Sequence, residues 1–184
     1  MLGLKTNTVA LYPHSAAWEE NAAQTIACIR SVLGDVCADA QHIGSTAIRW
    51  ISAKPIIDIA VAVRNPGDVM PYAEALAQHG IFYRRVEDTG QLLFLMGDLA
   101  NDIKTHHIHI VQADSDAWQN YLNFRDYLNA FPEHAREYEA EKIRLQAQYP
   151  DDRIAYTDGK QEIISRLLRE ARLWRAEKPA GNAE

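Results

Sequence analysis

Residues 54–63 read KPIIDIAVAV, and this stretch decides the fold. After the Lys-Pro pair come eight residues rich in β-branched side chains, a composition typical of a strand inside a sheet. A single carboxylate, Asp58, interrupts the apolar run. Because side chains alternate along a strand, Asp58 shares its face with the small residues Ala60 and Ala62. The stretch therefore predicts a buried strand that carries one acid on a face with room beside it.

The other elements follow from hydrophobic periodicity and from turn residues on either side of this strand. The predicted helices cover residues 15–33, 68–78, 116–130, 132–148 and 157–175, and the predicted strands cover residues 36–42, 56–63, 81–86, 91–96 and 105–111. Residues 88–90 predict a hairpin connection between two of the strands. The order predicts an α+β fold, a mixed sheet of about five strands with helices packed on one side and a helical C-terminal third. We expect one domain over residues 1–176 and a flexible tail over residues 177–184.

The bulk composition is that of an ordinary globular domain. The chain has 184 residues, of which 47% are hydrophobic and 24% are charged, with a formal net charge of -6. A mildly acidic chain disfavours broad nucleic-acid binding but allows a local basic pocket for one phosphorylated molecule or nucleotide. No run approaches the roughly 18 apolar residues that would cross a membrane, so we expect no membrane contact and a cytoplasmic location. The sequence leaves the oligomeric state open.

A polar turn, Gly44-Ser45-Thr46, comes between the first predicted strand and the Asp58 strand. Backbone N–H groups and a hydroxyl at such a turn can meet an anion, and Lys54 adds positive charge beside it. A buried carboxylate is costly unless it binds a cation or accepts strong hydrogen bonds, which makes Asp58 a candidate catalytic and metal-binding residue. The alternative is a strand-end aspartate that caps a neighbouring loop.

A second candidate cluster lies on the strand at residues 105–111, where His107 and His109 point to one face and His106 to the other. Two histidines at this spacing can share a divalent metal, and we expect Mg²⁺, Mn²⁺ or Zn²⁺ with Asp58 as a further ligand. The alternative is a pair of histidines that only hydrogen-bond within a half-buried sheet.

The C-terminal helices supply four further candidates for contact with a phosphorylated ligand: Arg125, Lys142, Tyr156 and Lys160. Lys142 follows Tyr138 by one helical turn, so the two side chains share a helix face. Lys160 stands near the start of a predicted helix, where a cation is disfavoured, which indicates a bound anion or an acidic neighbour. An exposed, salt-bridged helix surface is the alternative reading of these residues.

Taken in order, these motifs resemble the signature of the GrpB family. The resemblance is carried by residues 42–47 (HIGSTA), 54–59 (KPIIDI), 107–109 (HIH), 124–128 (FRDYL) and 156–160 (YTDGK), with Tyr138 and Lys142. It spans roughly residues 11–171. The resemblance implies a nucleotidyltransferase-type fold. It also implies an accessory role, because similar domains are fused to some dephospho-CoA kinases.

Two features of the sequence depart from the patterns of the GrpB family and of active nucleotidyltransferases. Arg49-Trp50 stands where the family usually has Pro-Gly, which makes the loop more basic and offers Trp50 for stacking on a flat ligand. Ala60 stands where active nucleotidyltransferases have a second carboxylate, which two-metal catalysis requires.

These features leave three functional hypotheses open. The first is a divergent nucleotidyl- or phosphoryl-transferase, with Asp58, His107 and His109 as catalytic groups. The second is a nucleotide- or CoA-precursor-binding module that kept the pocket and lost the chemistry. The third is a hydrolytic metal site formed by the same three residues and His42.

Overall fold

The computed structural model describes residues 1–86 and 90–177. In this part of the chain seven strands and two α-helices come first, and three long helices and one short helix follow. The strands are β1 (Leu4–Lys5), β2 (Asp39–Ile43), β3 (Ile57–Val63), β4 (Phe82–Val86), β5 (Leu92–Met96), β6 (Ile103–Lys104) and β7 (His106–Gln112). The α-helices are α1 (Ala16–Leu33), α2 (Ala73–Gln78), α3 (Asp116–Ala130), α4 (Pro132–Gln148), α5 (Arg153–Gly159) and α6 (Gln161–Glu177).

Five of the strands form a mixed sheet in the order β2-β3-β7-β5-β4. The central pair, β3 and β7, is parallel, and the other neighbours are antiparallel. The short strands β1 and β6 pair separately. The predicted α+β fold with a five-stranded mixed sheet is confirmed, and the β-branched strand lies near its centre as its composition indicates.

Helices cover both faces of the sheet, which corrects the prediction that they lie on one side. Ile57 and Ile59 of β3 pack with Trp18 and Ile29 of α1 in the main core. On the opposite face, Ala60 and its neighbours pack against Trp118 of α3. Because β3 is apolar on both faces, each face must be covered, and the small alanines leave room for the indole ring.

The C-terminal third is helical, as predicted, but its last predicted helix is two helices. Asp152 caps α5, and its side chain accepts a hydrogen bond of 3.0 Å from the backbone N–H of Ala155, so the helix begins four residues before residue 157. Helix α5 ends at Gly159, where a methyl group would lie 2.5 Å from Leu145 Cδ2 of α4. The break between α5 and α6 falls at Lys160, the residue between Gly159 and Gln161.

The remaining differences from the predicted elements are at their boundaries. Residues 66–72 form 3₁₀ turns and α-helix starts only at Ala73, because Pro71 has no N–H to donate. The strand predicted over 36–42 runs over Asp39–Ile43. Residues 88 and 89 of the predicted hairpin turn and residues 178–184 of the predicted tail lie outside the described residues. Within the described part of the chain, no helix is both long enough and apolar enough to span a bilayer.

Candidate active site

The site begins where strand β2 ends beside strand β3. The register pairs Ile43 with Asp58, so the next residue, Gly44, turns directly over the aspartate. Gly44 adopts φ +69°, and a methyl group there would lie 2.4 Å from Asp58 Oδ2. Only glycine permits both this backbone conformation and this close approach. The Gly-Ser turn and the acid, 14 residues apart in sequence, are thus one structural unit.

The parallel register of β3 with β7 places the two histidines beside the same acid. Asp58 lies opposite His107, and Ala60 lies opposite His109. His107 Nδ1 is 3.2 Å from Asp58 Oδ1, and His109 Nε2 is 3.9 Å from the same oxygen. Burial alone would raise the pKa of the Asp58 carboxyl, but the hydrogen bonds and charges of His107 and His109 outweigh burial and hold that pKa well below its usual range. Asp58 is therefore ionised and already has partners in the protein.

The predicted metal ligands Asp58, His107 and His109 lie together, and their binding of a metal ion stays a prediction. Among the residues that the structure describes, no group of three or more His, Cys, Asp or Glu side chains has the geometry to hold a metal ion. The position beside Asp58 on its own face is occupied by the methyl group of Ala60, so the two-metal arrangement lacks its second carboxylate. His107 is hydrogen-bonded to Asp58, and His109 Nε2 lies 3.9 Å from the same carboxylate oxygen.

Facing this cluster is a cavity of about 380 Å³ between the sheet and the C-terminal helices. Asp58 is the one acid among the described residues that line it. The cationic residues of its wall are Lys54, Lys142, Arg153 and Lys160. Aromatic rings of Tyr121, Phe124, Tyr138 and Tyr156 complete most of the wall. The cavity therefore combines an excess of positive charge with flat apolar surfaces.

Two of the lysines lie on one tyrosine. Lys54 Nζ is 5.3 Å from the centre of the Tyr156 ring, and Lys160 Nζ is 4.5 Å from it. Tyr156 itself is buried, whereas both lysines keep part of their surface exposed to the cavity. The ring holds the two ammonium groups at the cavity through cation–π contacts.

Lys142 is the buried member of the set, with 1% of its surface exposed. Its Nζ donates a hydrogen bond to the carbonyl oxygen of Ser52 and lies 4.9 Å from the centre of the Tyr138 ring. Tyr138 is buried too, and it shares a hydrogen bond with the Ser45 hydroxyl. Burial raises the pKa of the Tyr138 phenol to about 12, so this hydroxyl remains protonated at neutral pH.

Burial and repulsion between neighbouring cations lower the pKa values of these lysines. Burial, and then the charge of Lys160, lowers the pKa of Lys142 to about 7, although Glu139 opposes the change. Burial also lowers the pKa of Lys54 to about 8 and that of Lys160 to about 8, each with a contribution from a neighbouring cation. The positive charge of the cavity is therefore only partly balanced by Asp58.

Not every predicted binding residue lies at this cavity. Gly44, Ser45, Lys54, Lys142, Tyr156 and Lys160 line it. Thr46 is buried behind the turn, with its Oγ1 2.9 Å from His42 Nε2. Arg125 donates to Gln41 Oε1 at 2.9 Å and to the His42 carbonyl at 3.0 Å, and it lines a different concavity.

That second concavity is also lined by Arg49, which makes the loop more basic, and by Trp50, the ring that the sequence offers for stacking on a ligand. The Trp50 Nε1–H donates to the Asn129 carbonyl, and Arg49 pairs with Glu19 at 3.2 Å. Neither side chain faces the Asp58 cavity.

Sequence reasoning missed several residues of the cavity wall. Asn120, Tyr121, Phe124 and Arg153 line it and were not predicted as site residues. The first three occupy one face of α3 at helical spacing, a pattern that also fits ordinary core packing. Arg153 was read as a loop residue, and its position becomes clear only once α5 is known to start there.

A family model described as GrpB protein matches residues 8–170. The chain belongs to the GrpB family. Glutamate-rich protein GrpB of Alkalihalophilus pseudofirmus is 38% identical over 173 residues, which cover 92% of this chain and 99% of that protein. The crystal structure of the conserved protein GrpB from Enterococcus faecalis superimposes with a TM-score of 0.83 at 28% identity, and the match covers 91% of this chain and 100% of that one. The resemblance predicted from the motifs is confirmed.

A more distant likeness connects the fold to nucleotidyltransferases. Terminal uridylyl transferase 4 from Trypanosoma brucei, solved with bound dUTP, matches with a TM-score of 0.55 at 11% identity. The match covers 86% of this chain and 55% of that one. At this level of identity the likeness shows a nucleotidyltransferase-like fold, as predicted, and nothing about chemistry.

The contact between Gly44 and Asp58 predicts a large effect of a single methyl group. We expect Gly44→Ala to lower the free energy of unfolding by about 3 kcal/mol, because positive φ and overpacking against the carboxylate add together. Gly80→Ala is the matched control, since Gly80 has φ +77° but nothing within 4 Å of an added methyl group. It should cost about 1 kcal/mol. Urea unfolding of both variants measures the difference, and equal losses would show that the contact is unimportant.

Proposed function

We propose that this protein binds a phosphorylated small molecule or nucleotide in the Asp58 cavity, without a metal ion. The observation that carries the proposal is the set of cations, Lys54, Lys142 and Lys160, which face one cavity with a single acid to balance them. Each of these lysines has a lowered pKa, which means that the charged amine is destabilised in the ligand-free protein. A bound anion would stabilise the charged form. The cytoplasm, where such metabolites are abundant, is the location we propose.

The cavity walls suit the two ends of such a ligand. The ammonium groups of Lys54 and Lys160, both over the Tyr156 ring, offer charge-assisted hydrogen bonds to phosphate oxygens. The rings of Tyr121 and Phe124 offer flat apolar surface to a base or another planar group. A volume of about 380 Å³ is within the range of small-ligand cavities.

In a metal-dependent nucleotidyltransferase, two divalent ions balance the phosphates and activate the attacking oxygen. Here lysines stand around the ligand space and Ala60 replaces the second metal-binding acid. Asp58 is engaged by His107 and His109. The arrangement therefore supports binding with protein cations in place of metal ions. It agrees with the accessory role that the sequence resemblance implies.

A metal-dependent transferase is the second candidate, because the fold is nucleotidyltransferase-like and Asp58 stands beside the Gly-Ser turn. In that case Asp58 would be the metal ligand, and binding of a nucleotide would require both the ion and this carboxylate.

Thermal unfolding measured with nucleoside triphosphates or inorganic pyrophosphate separates the two candidates when each ligand is tested both in the presence and in the absence of a chelator. A ligand present at 100 times its Kd should add about 2.7 kcal/mol of stability, which raises the Tm by roughly 5–10 °C. We expect this shift to persist in the chelator.

Lys160→Met should weaken binding by about tenfold, whereas Lys5→Met, a change at an exposed lysine outside the cavity, should leave it unchanged.

The variant Asp58→Asn gives opposite results under the two candidates. Removal of a negative charge beside a phosphate should leave anion binding intact or strengthen it, because like charges repel. A metal-dependent site would instead lose nucleotide binding in this variant. A Tm shift that needs Mg²⁺ or Mn²⁺ and disappears in Asp58→Asn would overturn the proposal.

The lowered lysine pKa values predict that anion binding takes up protons at pH 8. Near pH 8 Lys142 is largely neutral, and Lys54 and Lys160 are partly so. A bound phosphate raises all three pKa values, so affinity should fall as the pH rises from 7 to 9. Titration calorimetry in two buffers with different ionisation enthalpies measures the uptake. Lys142→Met should reduce it, and binding with proton release would contradict the prediction.

The same pKa change fixes the pH dependence of the ligand-free protein. The unfolded chain keeps the Lys142 proton up to about pH 10.5, but the folded protein keeps it only up to about pH 7. Between these values the unfolded state binds more protons, so the contribution of Lys142 makes the folded state more stable as the pH rises. At pH 6, where burial of the charged amine is most costly, we expect Lys142→Met to raise the Tm by about 2–4 °C. An unchanged or lower Tm would indicate that the Ser52 contact compensates for burial.

A further inference from the structure

Lys142 differs from the other two lysines of the cavity in its surroundings. It is 1% exposed, whereas Lys54 and Lys160 are partly open to the cavity. Its Nζ is fixed by the Ser52 carbonyl oxygen and lies over the Tyr138 ring. A lysine that served only as a counter-ion for phosphate would gain more from an open position, where it keeps its proton.

Two side chains of helix α4 hydrogen-bond to the backbone of Ser52, one to its N–H and one to its carbonyl oxygen. Glu139 Oε1 accepts a hydrogen bond of 2.6 Å from the Ser52 N–H, and Lys142 donates to the Ser52 carbonyl. Glu139 and Lys142 are one turn apart on the helix, so the rigid helix positions the amine. A neutral amine has two hydrogens and one lone pair. It can donate one hydrogen to Ser52 and keep the lone pair for a reaction.

We propose that Lys142 is a carbonyl-reactive amine, and that the cavity forms an imine with small aldehydes or ketones that also carry a phosphate group. This inference rests on the proposed phosphate-binding function. It assigns separate parts of the ligand to separate lysines. Lys54 and Lys160 hold the phosphate at the Tyr156 ring, and Lys142 meets the carbonyl carbon.

The reaction is balanced without a cofactor. The lone pair of Lys142 Nζ attacks the carbonyl carbon, the C–N bond forms, and the carbonyl π electrons move to the oxygen. The oxygen takes up a proton, the nitrogen loses one, and a carbinolamine results. Loss of one water molecule then gives the C=N bond. The nearby hydroxyls of Tyr138 and Ser45, which share a hydrogen bond, are protonated groups that can assist departure of the water.

The electrostatics of the cavity support this assignment. A lysine becomes nucleophilic when it is desolvated or placed beside another cation, since both conditions increase its neutral fraction. Lys142 meets both conditions, because it is buried and because Lys160 and Lys54 lie near it with only Glu139 in opposition. About half of Lys142 is neutral at pH 7.

Pyridoxal 5′-phosphate, an aldehyde with a phosphate group, is a suitable probe. The intact protein is incubated with it at pH 7 and reduced with borohydride, and the modified lysine is located by peptide mass spectrometry. The chain has six lysines, so each is assigned separately. We expect label at Lys142 in at least about tenfold excess over the exposed residue Lys5. Label concentrated at Lys54, at Lys160 or on the surface lysines would overturn the proposal.

Two controls separate this inference from the proposed function. Unphosphorylated pyridoxal should label Lys142 about tenfold less, and excess inorganic phosphate should compete with the phosphorylated probe. Lys142→Arg keeps the positive charge but removes the nucleophilic amine, so the phosphorylated probe should leave no adduct at position 142. Pyrophosphate binding without any Lys142 adduct would overturn the imine alone. Equal labelling by both aldehydes, insensitive to phosphate, would overturn the phosphate role on which the proposal rests.

Discussion

The parallel pairing of β3 with β7 is the constraint on which the rest of the structure depends. It fixes Asp58 opposite His107 and Ala60 opposite His109, so one acid receives two imidazoles at a fixed register. A shift of one residue would turn the acid into the main core on the other face. The antiparallel partner β2 then places Gly44 over the same carboxylate. The backbone register thus brings both histidines to Asp58, and these histidines lower the pKa of its carboxyl.

Positive charge is concentrated at the cavity, although the chain as a whole is acidic. The whole chain is acidic, with a net charge of -6, yet the cavity beside Asp58 is lined by three lysines and Arg153. Since the acid is already paired with the histidines, it offers these cations limited compensation. Burial makes the remaining positive charge costly, and an anionic ligand relieves that cost. Such locally unfavourable groups are typical of binding and catalytic sites rather than of structural cores.

Local patterns account for most of the elements that the structure contains. Helices α3 and α4 occupy the predicted ranges, and α1 follows Ser15 and ends before Gly34. These segments have regular apolar spacing with a clear start and end, so local signals suffice. The break at Lys160 was missed because residues 157–175 keep helical periodicity through it. At this break Gly159 packs closely on Leu145 of α4, a contact between elements that helical periodicity does not report.

By itself, the sequence determined the central strand, the family and nine residues of the cavity wall, because local composition and motif order carry that information. Tertiary structure alone decided how those residues are used. Arg125 and Arg49 carry the same kind of charge as the cavity lysines, yet the fold directs them to another surface. The sequence named Lys142 as a ligand contact, with an exposed helix face as the alternative. The fold buries it, because α4 packs that face against Ser52, with the Tyr138 ring beside the amine. Charge and periodicity are properties of single residues and short segments, whereas burial and pairing depend on which distant segment lies opposite.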